Sequence, residues 1–357
     1  MHLFAVVPWE ASSRLNETAA LIGTIFSPER TERHGAYYFV RTRDHRTGAE
    51  ALQISVSEVT DPSDLRNLLL SAAREHGREA TVEEVPLHSL PSPLWNSGFD
   101  GPGFPELSQR LYQRASPILA TFLNRVEQAK SPLQSALDAI KLMVAHTRAT
   151  LLDSPQRSLA GYEFRDLLSL RLLSYRSHFE AIYPRTKDPA ALEAACARFY
   201  GQVGPDVHKF VTDCGDPDTG PTEDPLIRQW TEFVMSISGQ LAEEFRDKTV
   251  IDAGRTLEDL VRERGGPVEP TRFHTPRIPE LEHLLHRDFD FLSFRLLTSL
   301  LYSCLYTLGF SLPERYVYCY VAARANEEVA GGSMQTLSAD LDELARRVAA
   351  VSATGAE

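Results

Sequence analysis

Between Arg295 and Glu314 the chain carries no charge, yet Ser299, Tyr302, Ser303 and Tyr306 punctuate that apolar run. On an α-helix each residue advances by about 100°. Arg295, Ser299, Tyr302 and Tyr306 are then spaced to stack along one face, with Ser303 at its flank. Leu297, Leu301, Cys304 and Leu308 fall broadly opposite and would pack into a core. A buried hydroxyl without a partner costs about 1–3 kcal/mol, so such a face needs either a network or an opening. A lone buried tyrosine usually bonds a backbone carbonyl. A row that begins with a guanidinium reads instead as the wall of a reaction pocket, with Asp288 or Asp290 as the carboxylate for Arg295. Neutral hydroxyls so placed can polarise a carbonyl or relay a proton.

The elements that must position this face follow from pattern. Residues 2–7 read as a strand, and 12–26 as an amphipathic helix opened by Ser12 or Ser13. Strands at 37–43 and 51–58 are joined by the turn-rich DHRTG. Asp61 caps a helix that Gly77 stops, and 81–87 reads as a last strand. Residues 1–90 thus form a small α/β lobe with an antiparallel hairpin. The Pro/Gly-rich stretch 91–105 is a boundary or a functional loop.

From 106 to 330 the pattern is helical, with helices expected at 106–128, 131–152, 162–182, 188–200, 202–213, 223–246, 255–264, 280–287 and 289–309. The tail 331–357 carries one more, at 336–351. The class is α+β: a small N-terminal α/β lobe packed on a large, mainly helical C-terminal region.

Composition narrows the function. The chain has 357 residues, 43% apolar and 24% charged, with a formal net charge of −12, which argues against coating nucleic acid. Its four cysteines form no CxxC pair and no zinc spacing, as expected of free thiols in a reducing compartment. The N-terminus lacks a basic segment and reads as a strand rather than a signal peptide. Residues 296–312 approach membrane length but are dotted with hydroxyls, so the expectation is a cytoplasmic protein with one buried helix and no membrane contact. No phosphate-binding GxxxxGK(S/T), no GxGxxG, no HExxH and no GxSxG occurs; no metal and no cofactor is expected.

Three segments carry a family resemblance. YYFVRTRD at 37–44 resembles the FFxRYxD hairpin of the glutamate-elimination domain of lantibiotic-type dehydratases. QRLYQRASPILATFL at 109–123 resembles the helix there with an aromatic, a serine and an apolar run. LLYSCLYTLGFSLPERYVYCYVA resembles the HMxxNRL…E helix and the strand or helix after it. Where those domains carry His, Asn and Arg, this sequence has Tyr302, Tyr306 and Thr307, and EALQISVS replaces a basic HLRLR strand. Eliminating glutamate needs a base and cations for the leaving carboxylate; Arg41 is kept, but those positions are not.

The same scaffold without those groups is similar to the thiopeptide pyridine synthases. That resemblance implies a cofactor-independent enzyme that joins two dehydroalanines of a ribosomally made peptide by a formal 4+2 aza-cycloaddition. Dehydration and leader-peptide elimination would then leave a pyridine-cored macrocycle. Tyr302 and Tyr306 would be donor or acid groups, Ser299 their support and Arg295 their orienter, with His286 or His274 handling the aromatisation proton. Arg41, reaching in from the hairpin, and Ser303 would contact the substrate, and Trp9, Trp95 and Phe99 would stack on its azoles. The partner implied is an azole- and dehydroalanine-bearing precursor with an acidic leader, together with other enzymes of the pathway. Arg165, Arg171 and Arg176 on one helix are candidates for holding that leader. The competing expectations are a glutamate eliminase and a non-catalytic precursor-binding protein.

Overall fold

The computed structural model describes residues 2–9, 15–26, 35–43, 47–59, 61–94, 97–129, 131–159, 161–182, 186–221, 223–251 and 277–354. The chain divides into two compact units, Met1–Lys130 with Ser299–Ser311, and Ser131–Thr298 with Leu312–Glu357.

The first unit opens with β1 (His2–Trp9), α1 (Leu15–Ile25), β2 (Tyr37–Arg43), β3 (Glu50–Ser57), α2 (Pro62–Glu75) and β4 (Thr81–Val85). The strands form an antiparallel sheet in the order β2-β3-β1-β4. That is the ferredoxin-like split βαβ arrangement. Its register follows from alternation: Leu3, Ala5 and Val7 of β1 are buried and pair with the buried Val56, Ile54 and Leu52 of β3. A one-residue slip would turn that whole set outward. Asp61 accepts hydrogen bonds from the N–H groups of Ser63 and Asp64, and Gly77 takes the φ of 67° that ends α2.

The unit is completed by α3 (Phe104–Gln128), which packs on α1 and β2, and by the second half of α9 (Phe289–Leu308). A sequence pattern assigns α3 to the helical region; its apolar side, including Leu111, Ile118 and Phe122, instead serves the sheet unit. β2 is an outer strand of the sheet. Its outward N–H groups at Phe39 and Arg41 donate to the hydroxyls of Ser116 (3.2 Å) and Thr307 (3.1 Å).

The second unit contains α4 (Pro132–Leu152), α5 (Phe164–Glu180), α6 (Pro189–Cys214), α7 (Pro225–Arg246), α8 (Pro279–His286), the first half of α9, α10 (Leu312–Ala330) and α11 (Met334–Thr354). α10 packs against α4, α5 and α6, α4 against α7, and α8 against α11.

Two elements differ from the sequence reading. The helices expected at 188–200 and 202–213 are one, because the buried positions Cys196, Val203, Val207, Phe210, Val211 and Cys214 keep a helical period straight across Gly201. The pattern gave no helix for α10, and the family resemblance left its first part as a strand or a helix; it is a helix. It buries Tyr318, Cys319, Val321, Ala322, Ala323, Ala325 and Asn326, a small and partly polar set that makes no apolar stripe. Asn326 is satisfied by donating to the Ser169 carbonyl at 3.0 Å. The helix expected at 255–264 lies outside the described residues.

The helical core also buries one imidazole. His146 accepts from the Trp230 indole N–H at 3.2 Å, and burial lowers its pKa to about 3. α9 is long and apolar enough to cross a membrane on composition alone, but 78% of its apolar window is buried inside the protein.

Candidate functional site

From Phe291 to Leu308 every residue of α9 is buried except Arg295, Ser299, Tyr302 and Tyr306, each of them partly exposed. The face drawn from spacing is therefore the face that α9 leaves open. Its opposite side, with Leu297, Leu301, Cys304 and Leu308, is wholly buried.

In the first unit Tyr306 meets the hairpin. Arg41 of β2 and Glu50 of β3 are both buried, at 6% and 8% exposure, and form an ion pair through Arg41 Nε and Glu50 Oε2 at 2.7 Å. The register makes this possible: Arg41 pairs with Leu52 and Arg43 with Glu50, so the two side chains are diagonal neighbours on one face. The guanidinium lies over the Tyr306 ring, 4.8 Å from its centroid. The Tyr306 hydroxyl hydrogen-bonds to Glu50. Burial, reinforced by that carboxylate and opposed by Arg41, pushes the Tyr306 pKa up to about 12. The phenol is neutral at ordinary pH, and its proton is directed to a carboxylate.

Other neighbours of this helix are structural. Ser303 is buried and accepts from the Tyr112 hydroxyl of α3 at 2.5 Å, which removes it from the open face and corrects its assignment to substrate. Burial holds the Tyr112 pKa well above the usual range. Thr307, which takes the place of a basic residue in the elimination domains, caps the Arg41 N–H.

In the second unit Arg295 reaches back to the end of α8. It donates to the Leu285 carbonyl at 2.7 Å and approaches His286 Nδ1 at 3.2 Å. Asp288 accepts from the Phe291 N–H at 2.8 Å, in the first turn of α9. Asp290 pairs with Arg171.

That pair overturns Arg171 as a leader contact. At 3% side-chain exposure, it is spent on the Thr150 carbonyl and hydroxyl, Ser154, Gln156 and Asp290. Arg176 pairs with Glu180 at 3.2 Å and lies against the Phe179 ring. Arg165 is exposed and bridged to Glu163 at 2.7 Å. The three arginines occupy three different settings, so they do not form one cationic groove.

The expected azole platforms fare similarly. Phe99 is 2% exposed and offers no free ring face. Trp9 is buried, and Arg78 covers its ring at 4.2 Å. Trp95 and His274 lie outside the described residues. Among the described residues no three His, Cys, Asp or Glu side chains cluster to hold a metal ion.

Glu50 is the residue that the sequence reading missed. Its signal was available: it is the acidic residue of EALQISVS, and hairpin register brings it between Arg41 and Arg43.

No protein-family model matches the sequence, and no curated protein does. Solved structures do. The chain shares its fold, over nearly its whole length, with a pyridine synthase. That enzyme is TbtD, from thiomuracin biosynthesis, matched with a TM-score of 0.54 at 17% identity over 92% of this chain and 99% of TbtD. The crystal structure of TsrL matches with a TM-score of 0.67, also at 17% identity, over 95% of this chain and 97% of TsrL. The resemblance carried by the hairpin and the C-terminal helices holds at the level of the fold.

Proposed function

We propose that this chain is an enzyme of thiopeptide biosynthesis that joins two dehydroalanines of a modified precursor by a formal 4+2 aza-cycloaddition. Water and the leader peptide, released as its amide, would be lost as the pyridine forms. The observation that carries this reading is the fold shared with a pyridine synthase across 92% of the chain. The half-exposed phenols of α9 supply a chemistry consistent with it.

The reaction needs two alkenes held face to face, and positioning alone contributes about 7–11 kcal/mol when reacting atoms approach about 3–3.5 Å. It also needs one amide pushed toward its iminol. The Tyr306 oxygen, with its own proton directed to Glu50, is a base by relay: it takes the amide N–H proton as its own passes to the carboxylate. Tyr302, one turn earlier on the same open face, donates to the amide oxygen. Arg41, against both ring and carboxylate, limits the charge that builds up during the transfer. Return of the proton from Glu50 through Tyr306 supplies the acid that expulsion of water requires.

The test is mass spectrometry of an azole-bearing bis-dehydroalanine precursor incubated with the protein. Loss of water together with the leader amide is expected. Release of glutamate from a glutamylated peptide, with no cyclised product, would assign the scaffold to elimination; binding without any mass change would assign it to a carrier role.

A further inference from the structure

The helical unit contains a cavity of about 980 Å³, walled by the start of α5, the end of α6, the end of α10 and the start of α11. That is the upper end of the roughly 300–1,000 Å³ range of ligand sites. None of the α9 hydroxyls contributes to it. Its wall is lopsided in charge, with Asp166, Asp216, Glu328, Asp340 and Glu343 set against the guanidinium of Arg165.

Most of these charges already have partners. Arg165 is bridged to Glu163, and Glu343 receives Arg346 and Arg347 at 3.3 and 3.2 Å. Glu328 accepts from the Tyr200 hydroxyl at 2.7 Å and pairs with Arg324, while Asp216 holds the turn at Asp218 and Thr219. Two titratable groups of the wall remain uncommitted. The exposed Asp340 carboxylate and the half-buried His208 ring make no hydrogen bond or ion pair among the described residues. The buried hydroxyl of Ser169, another wall residue, also has no partner. The unspent capacity is chiefly that of acceptors, and its net sign is negative.

We infer that this cavity is a second peptide-binding site, taking a segment that carries lysine or arginine. The sign of the wall selects against the acidic leader that the arginines of α5 first suggested. The site requires no chemistry of Tyr306, so it stands or falls apart from the cyclisation reading.

The experiment is fluorescence anisotropy of the full chain with labelled peptides of equal length, one basic, one acidic and one neutral. The basic peptide binds, and more weakly as salt is raised. Asp340→Asn weakens it by about five-fold, and Asp340→Lys by more, with the fold checked by circular dichroism. His208→Ala provides a second, independent wall variant and is expected to weaken it by about two-fold. Hydrogen exchange with the basic peptide bound protects residues 162–170 and 208–216. Equal or tighter binding of the acidic peptide, unchanged affinity in folded Asp340→Lys, or protection confined to other segments would overturn the assignment.

Discussion

Two buried arginine–carboxylate pairs, Arg41–Glu50 in the sheet unit and Arg171–Asp290 in the helical unit, look alike as charges and differ in what surrounds them. Arg171 is closed in by neutral acceptors from Thr150, Ser154 and Gln156, so the pair ties the α4–α5 connection to the start of α9. Arg41 and Glu50 are covered on one side by the ring and hydroxyl of a half-exposed tyrosine. Burying an ion pair costs desolvation free energy that its attraction only partly repays. In the helical unit that cost fixes an architecture. In the sheet unit it leaves a carboxylate available to one phenol.

Removing the charge from the closed pair gives the largest effect. Arg171→Met leaves Asp290 with an uncompensated charge and costs about 3–5 kcal/mol of stability, read by denaturant unfolding. Tyr306→Phe inverts that pattern: the proposed cyclisation slows about 100-fold, equivalent to about 2.7 kcal/mol of barrier, while stability changes by less than about 1 kcal/mol. If Tyr306→Phe lowers only stability, the open pair is structural as well and the contrast disappears.

Thr307→Val strips the hydroxyl from the Arg41 N–H and costs about 2 kcal/mol, measured in the same unfolding experiment. A pH series separates the units. His146 has a folded pKa near 3, below the unfolded value of 6.5, so the unfolded chain takes up the proton first as pH falls. Its contribution is complete above pH 6.5 and declines toward pH 3, by at most about 1.4 kcal/mol per pH unit. Tyr37, Tyr38 and Tyr306 have folded pKa values raised to about 12, so the sheet unit keeps their contribution below pH 10 and loses it as pH rises through 12. Urea unfolding across pH, repeated on His146→Gln, checks the acid limb; absorbance titration of the phenols checks the alkaline one.

The fold was legible wherever period and punctuation agreed. The alternation of β1, the Asp61 cap and the Gly77 stop all appear where they were read. Periodicity did not show α10, whose first part stayed open between strand and helix, because alanines, a cysteine and a satisfied asparagine fill its contacts and small residues carry little hydropathic signal. α6 was divided at Gly201, a break that the continuous buried face overrides. The open face of α9 was readable because four residues share one angular sector. Its chemistry was only half readable. Tyr306 is local, whereas Glu50 arrives through hairpin pairing, a contact that no helical spacing encodes. Arg171 misled because a charge in a sequence does not announce whether a carboxylate more than a hundred residues away has claimed it.

The hydroxyls of Ser116 and Thr307 against β2 have a consequence for strand pairing. An extended chain docking alongside that strand would find the donors of Phe39 and Arg41 already occupied, so recruitment by strand addition is closed on that flank. The same two hydroxyls leave this edge without free donors, so a second copy of the sheet cannot pair to it either.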